Sequence, residues 1–91
     1  SSWGGPAMKR ITVRYFASIR EAVGQGSEQV QTSAATLGAL RDELIARGGA
    51  HASSLARGKA VRMALNQVLS DDAAALADGA EVAFFPPVTG G

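Results

Sequence analysis

Ala83-Phe84-Phe85-Pro86-Pro87-Val88-Thr89-Gly90-Gly91 closes the chain, and the order of these residues decides how the rest is read. An apolar, aromatic run of strand type stops at two prolines. Proline has no N–H to donate and a fixed φ, so Pro86-Pro87 ends sheet pairing and stiffens the exit as polyproline II. Gly90 and Gly91 lack a Cβ and can adopt almost any backbone angle. They present a bare carboxylate on a thin thread that could enter a channel excluding every side chain. Frayed, glycine-rich ends are common and often serve nothing. Here a rigid lead-in precedes a slender end, an order suited to placing a terminal carboxyl group in another protein's active site.

Working outward, Asp78-Gly79 turns the chain into a last strand at 81–85. At the other end, residues 9–16 alternate, with Ile11, Val13 and Tyr15 opposite Arg10, Thr12 and Arg14. Period two with β-branched and aromatic residues predicts a half-buried strand. Phe16 breaks the alternation, which suggests that both faces are covered there. Ile19, Ala22 and Val23 stand at helical spacing ahead of Gly24, giving a short helical turn and its stop. Residues 28–31 around Val30 form a weak second strand.

The main helix is predicted at about 37–47, where Leu37, Leu40, Leu44 and Ile45 make one apolar stripe and Arg41, Asp42 and Arg47 lie off it. Thr36 is its N-cap, and Gly48-Gly49 offers a left-handed stop. Residues 50–59 are small, polar and without a pattern; a lone His51 in such a loop reads as solvated. Val61, Met63 and Leu65 alternate as a strand, and Asn66-Gln67 makes a tight turn into Val68-Leu69. Ser70-Asp71-Asp72 before Ala73-Ala74-Ala75-Leu76 predicts one short helical turn. Strand, weak strand, helix, strand and strand is an α+β pattern, with one main helix across one face of a mostly antiparallel sheet.

Ninety-one residues with 46% apolar and 19% charged side chains suit one small domain with its own core. Residues 1–7, Ser-Ser-Trp-Gly-Gly-Pro-Ala, look like an expression remnant ahead of a start at Met8, leaving 8–91 as the domain. A net charge of +1 gives no case for nucleic acid or a membrane surface. No signal peptide is apparent, and the apolar runs fall far short of the ~20 residues of a membrane-spanning helix. The cytoplasm is the expected compartment. With no cysteine and one histidine there is no disulfide, no Cys/His or Ser/His/Asp set, and no basis for a protein-only zinc site. Gly24-x-Gly26 is too short for a dinucleotide fingerprint, and Gly58-Lys59 lacks the rest of a phosphate-binding loop. Asp71 and Asp72 read as capping charges. The chain alone is therefore not expected to catalyse anything.

Leu76, Asp78-Gly79, Glu81-Val82-Ala83-Phe84-Phe85-Pro86-Pro87-Val88 and Gly90-Gly91 resemble the end of the MoaD-type family, the ubiquitin-like sulfur carriers that form the small subunit of molybdopterin synthase. Arg14-Tyr15-Phe16-Ala17, Arg20-Glu21, Gly24 and Asn66-Gln67 fit the same pattern, so the resemblance spans 8–91. Ala80 stands where the family often has an acid. The resemblance implies a β-grasp fold, a mixed sheet of four to five strands whose first and last strands are adjacent and parallel. It implies that the Gly91 carboxylate is adenylated by an E1-like enzyme using ATP, becomes a thiocarboxylate, and gives its sulfur to a pterin precursor (precursor Z) in molybdenum cofactor biosynthesis. No cofactor is implied on this chain.

The implied partners are that activating enzyme and the large catalytic subunit, assembled as a heterotetramer. Gly90 would thread the tail. Docking would use apolar residues near it: Phe84 or Phe85, whichever faces outward, with Val88. Period two forbids both rings from pointing into one core, although both could be buried by different layers. Arg14, Arg62 and Lys59 are candidates for ion pairs with a partner. A carrier for thiamin or cysteine synthesis shares the fold and the Gly-Gly end, and the Phe-Phe-Pro-Pro lead-in favours the molybdenum branch only by resemblance. A ubiquitin-like modifier of lysines, or a plain interaction domain, are alternatives of another class.

Overall fold

The computed structural model describes residues 8–87. Its elements in chain order are β1 (Lys9–Tyr15), α1 (Ala17–Val23), β2 (Ser27–Thr32), α2 (Leu37–Ala46), α3 (Gly49–Leu55), β3 (Arg62–Leu65), β4 (Val68–Ser70) and β5 (Glu81–Phe85). The strands form one sheet in the order β2-β1-β5-β3-β4. β1 and β5 run parallel, with Val13 opposite Val82 and Tyr15 opposite Phe84, while every other pair is antiparallel. This is the expected α+β architecture, a five-stranded mixed sheet with first and last strands side by side.

The alternation in β1 turns Ile11, Val13 and Tyr15 into the core. There they meet Leu37, Leu40 and Leu44 of α2, Met63 of β3, and Val82 and Phe84 of β5. Thr36 caps α2 through its hydroxyl, which accepts from the Ala39 N–H at 3.3 Å. Gly24 ends α1 in the left-handed region and returns its N–H to the Arg20 carbonyl at 2.8 Å. Asn66 and Gln67 both have positive φ, 52° and 69°, the geometry of a type I′ hairpin turn between β3 and β4.

Four expectations need correction. Residues 50–59, read as patternless, contain most of α3 (Gly49–Leu55), which is anchored by the buried Leu55. Arg41 does not lie off the apolar stripe; it is 6% exposed. Its guanidinium donates to the carbonyls of Leu55 and Ala56, both at 2.8 Å, and to that of Lys59 at 3.4 Å. A buried cation is tolerated only when its donors are satisfied, and here it ties α2 to the end of α3. Burial pushes the Arg41 guanidinium below its ordinary value.

The helical turn expected at 73–76 is absent. Those residues are drawn out along the start of α2: Leu37 N–H bonds Ala74 O at 3.0 Å, Gly38 N–H bonds Asp72 O at 3.1 Å, and Thr36 bridges Ala75. The otherwise orphaned first N–H groups of α2 thus take the carbonyls that a helical turn would have used. Phe16, finally, is not covered on both faces but 39% exposed.

Candidate functional site: the outward sheet face and the root of the tail

Three helices cover one face of the sheet, and among the described residues the other carries no helix. Phe84 and Phe85 fall on opposite sides of β5, as period two requires. Phe84 is wholly buried. Its ring stacks on Tyr15 with centroids 6.3 Å apart and planes 17° from parallel. The docking role considered for Phe84 is therefore withdrawn. Phe85 is the outward one and is half-buried. Pro86 and Pro87 follow at once, so the tail leaves from the end of β5. Val88, Gly90 and Gly91 lie outside the described residues.

Phe85 lines an open groove of about 300 Å³ with Phe16, Ala64, Ala83, Arg14 and Glu81 among its walls. The sheet register explains the arrangement. Leu69, Ala64, Ala83 and Arg14 stand in one cross-strand row, and Arg62 and Phe85 pair in the next. Paired residues share a face, so two alanines make a low floor between Phe85, Phe16 and the 64%-exposed Leu69. Arg14 bonds Glu81 at 3.1 Å across β1 and β5, and its guanidinium lies 5.7 Å from the Phe16 ring centroid. The cation expected to reach a partner is thus already committed within the face. Arg62 and Lys59 are exposed and make no ion pair among the described residues.

Phe16 and Leu69 were missed as surface residues. Phe16 gave one signal, its break in the alternation, which marks the residue where the strand ends and its ring turns outward. Leu69 gave none, because a single exposed leucine on an edge strand looks like any other strand residue.

Behind the face, His51 is not the solvated histidine expected. On α3 it lies 2.9 Å from Glu28 and edge-on to Tyr15, with ring centroids 5.9 Å apart. The Tyr15 hydroxyl donates to Glu28 at 2.5 Å, and Arg47 lies 3.6 Å from the same carboxylate. Burial pushes the Glu28 carboxyl up, but the bonds from Tyr15 and His51 and the charges of His51 and Arg47 outweigh it and hold the group below its usual range. Burial first, then Glu28, raises the Tyr15 phenol above its ordinary value. The cluster joins β1, β2 and α3 beside Phe84.

Asp71 accepts from the Ala73 N–H at 3.1 Å, and Asp72 pairs with Arg57, which also bonds Asp42. Both acids are structural. Among the described residues no group of His, Cys, Asp and Glu could hold a metal ion, and no helix is long and apolar enough to cross a membrane.

Comparison with known proteins places this geometry. The Escherichia coli molybdopterin synthase sulfur carrier subunit is 44% identical over 89% of this chain and 99% of its own length. The solution structure of the Haloferax volcanii HVO 2177 protein matches with a TM-score of 0.77 at 29% identity, covering 100% of this chain and 94% of that one. The protein-protein complex of subunits 1 and 2 of the molybdopterin-converting factor from Helicobacter pylori contains a chain matching at a TM-score of 0.62 and 28% identity, covering 90% of this chain and 99% of that one. The ThiS family matches residues 13–91, and the chain belongs to it.

Proposed function

We propose that this chain is the sulfur carrier subunit of a molybdopterin synthase in molybdenum cofactor biosynthesis. The observation that carries the reading is near end-to-end similarity, at 44% identity, to a curated protein of that name. The outward face supports it: an apolar groove lies beside the root of a Pro-Pro-Val-Thr-Gly-Gly tail.

A carboxylate is a poor electrophile, because its charge repels nucleophiles and oxide is a bad leaving group. Adenylation of Gly91 by an E1-like partner exchanges that oxide for AMP, with ATP as the second substrate and pyrophosphate released. A sulfur donor then attacks the acyl carbon and displaces AMP, leaving a thiocarboxylate. That soft nucleophile enters the large subunit on Gly90 and Gly91 and gives its sulfur to precursor Z. Docking of the outward face, with Phe85 and Phe16 in the groove and Leu69 on the edge strand as apolar anchors and Val88 beyond them, aligns the tail. The pairing of two subunits in the Helicobacter pylori complex supports such a partner here; assembly as a heterotetramer and a cytoplasmic setting belong to the same reading.

Mass spectrometry of the intact protein after incubation with an activating enzyme, ATP and a sulfur donor tests it. The expected product is heavier by the exchange of one oxygen for sulfur at Gly91. Isopeptide adducts on other proteins would instead make the chain a modifier. A chain bearing one extra residue after Gly91 should fold normally and load no sulfur; loading without trimming would overturn the mechanism.

A further inference from the structure

We infer that the recess beside Pro86 is a second docking point, receiving an acidic side chain of the large subunit that takes the tail. The inference rests on the carrier reading above. The recess, about 290 Å³, opens between α1 and α3 and is walled by Ser18, Ser53, Ser54, Lys59, Ile19 and Pro86 among others. Alternation explains why one strand end serves two recesses. Phe85 faces the open side of the sheet, so Pro86 turns toward the helices. A protein gripping the chain beyond Pro87 therefore meets a recess on either side of the strand end.

The two differ in chemistry. In the outward groove the cation Arg14 is already paired with Glu81. Among the described residues, the recess at Pro86 has one cation and three hydroxyls in its wall and no acidic residue. Lys59 makes no ion pair among the described residues, whereas the chain's other lysine, Lys9, donates to the Ala34 carbonyl at 3.0 Å. The backbone that presents Lys59 is held at both ends: its N–H bonds Ala56 O at 2.8 Å and its carbonyl accepts from Arg41. An ammonium on an anchored backbone, with hydroxyl donors around it, is complementary to a carboxylate through charge-assisted hydrogen bonds. The chain's own Gly91 is the weaker occupant, because Pro86-Pro87 stiffens the exit and disfavours an immediate reversal.

The test is a titration of the whole chain against the large subunit of its own molybdopterin synthase at low and high salt. It uses the parent, Lys59→Glu, Lys59→Met and Phe85→Ala. Lys59→Glu should weaken binding about tenfold or more, and Lys59→Met less, with a flatter salt dependence than the parent. Melting temperatures of both Lys59 variants should match the parent.

Equal affinity for Lys59→Glu and parent overturns the inference. If Phe85→Ala still weakens binding in that experiment, the carrier reading stands without it. A parent that never binds removes both. Nuclear magnetic resonance of the free protein covers the rival occupants. A shift of the Lys59 side-chain signals on deleting residues 88–91 would assign the recess to the chain's own end. A shift caused by acetate alone, with partner affinity unchanged in Lys59→Glu, would make it a small-anion site. Either result overturns the inference.

Discussion

Phe84 stacks on Tyr15 inside the core while its neighbour Phe85 faces the open groove, so adjacent, identical side chains serve stability and recognition separately. Phe84→Ala should cost about 3–5 kcal/mol of stability, the usual range for emptying a buried aromatic site. Phe85→Ala should barely move the melting temperature yet weaken binding to the large subunit by about 2 kcal/mol, as truncating an anchor aromatic does. Denaturant melts and binding titrations on both variants check this. Equal stability losses would mean that Phe85 is also a core residue.

The guanidinium of Arg41 gives a second expectation. It donates to three carbonyls, at 55, 56 and 59, and so ties α2 to the end of α3. Arg41→Met keeps much of the apolar stem but removes those donors, and should cost about 1–3 kcal/mol. Arg41→Lys should recover little, because one ammonium cannot reproduce the planar fork. Amide hydrogen exchange should rise in 49–60 before it rises in the β1–β5 pair. Uniform loss of protection would show that Arg41 supports the whole fold rather than the end of α3.

The Tyr15–Glu28–His51 cluster makes stability depend on pH at both extremes. Glu28 has a lowered pKa when folded, so its contribution is present above the unfolded value of about 4.3 and is lost as pH falls through the folded value. Tyr15 has a raised pKa, so its contribution is complete below the unfolded value of about 10 and is lost as pH rises beyond it. Melting temperature against pH should therefore fall more steeply at the acid end for the parent than for Glu28→Gln. At the alkaline end it should fall more steeply for the parent than for Tyr15→Phe. Parallel curves would remove the cluster from the linkage.

Which parts of this architecture could be read from the residues follows from where their stability lies. β1 and α2 carry their own periodicity, since each buries a complete face, and Gly24, Thr36 and Asn66-Gln67 act locally as stop, cap and turn. α3 carries one large apolar residue, Leu55, among glycine, alanine, serine and histidine. It is helical because Arg41 and Glu28, distant in sequence, bind it. The path of 74–76 along α2, which follows the turn at 72–73, likewise depends on the exposed N–H groups of α2 rather than on its own alanines. For Phe84 and Phe85, alternation shows that they oppose each other, but only pairing with β1 decides which one faces the helices. The groove needs still more, because Phe16, Ala64 and Phe85 come from three separated segments that only the assembled sheet brings together.

The final prediction concerns why the tail ends in glycine. If partners hold it in a channel too narrow for side chains, Gly90 and Gly91 act through the atoms they lack. Gly90→Val would bring a branched Cβ against the channel wall. It would also restrict the backbone away from the positive-φ region that a sharp entry uses. The core built by the described residues is formed by positions 11–84, so the variant should melt like the parent and still dock through the groove. Sulfur loading or transfer should nevertheless slow strongly, while Gly90→Ala, with a single methyl, should fall between the two. Rates for the parent and both variants, with docking affinity measured separately, make the comparison. Unchanged transfer for Gly90→Val would mean that the channel is wide and that the terminal carboxylate alone is what the partners read.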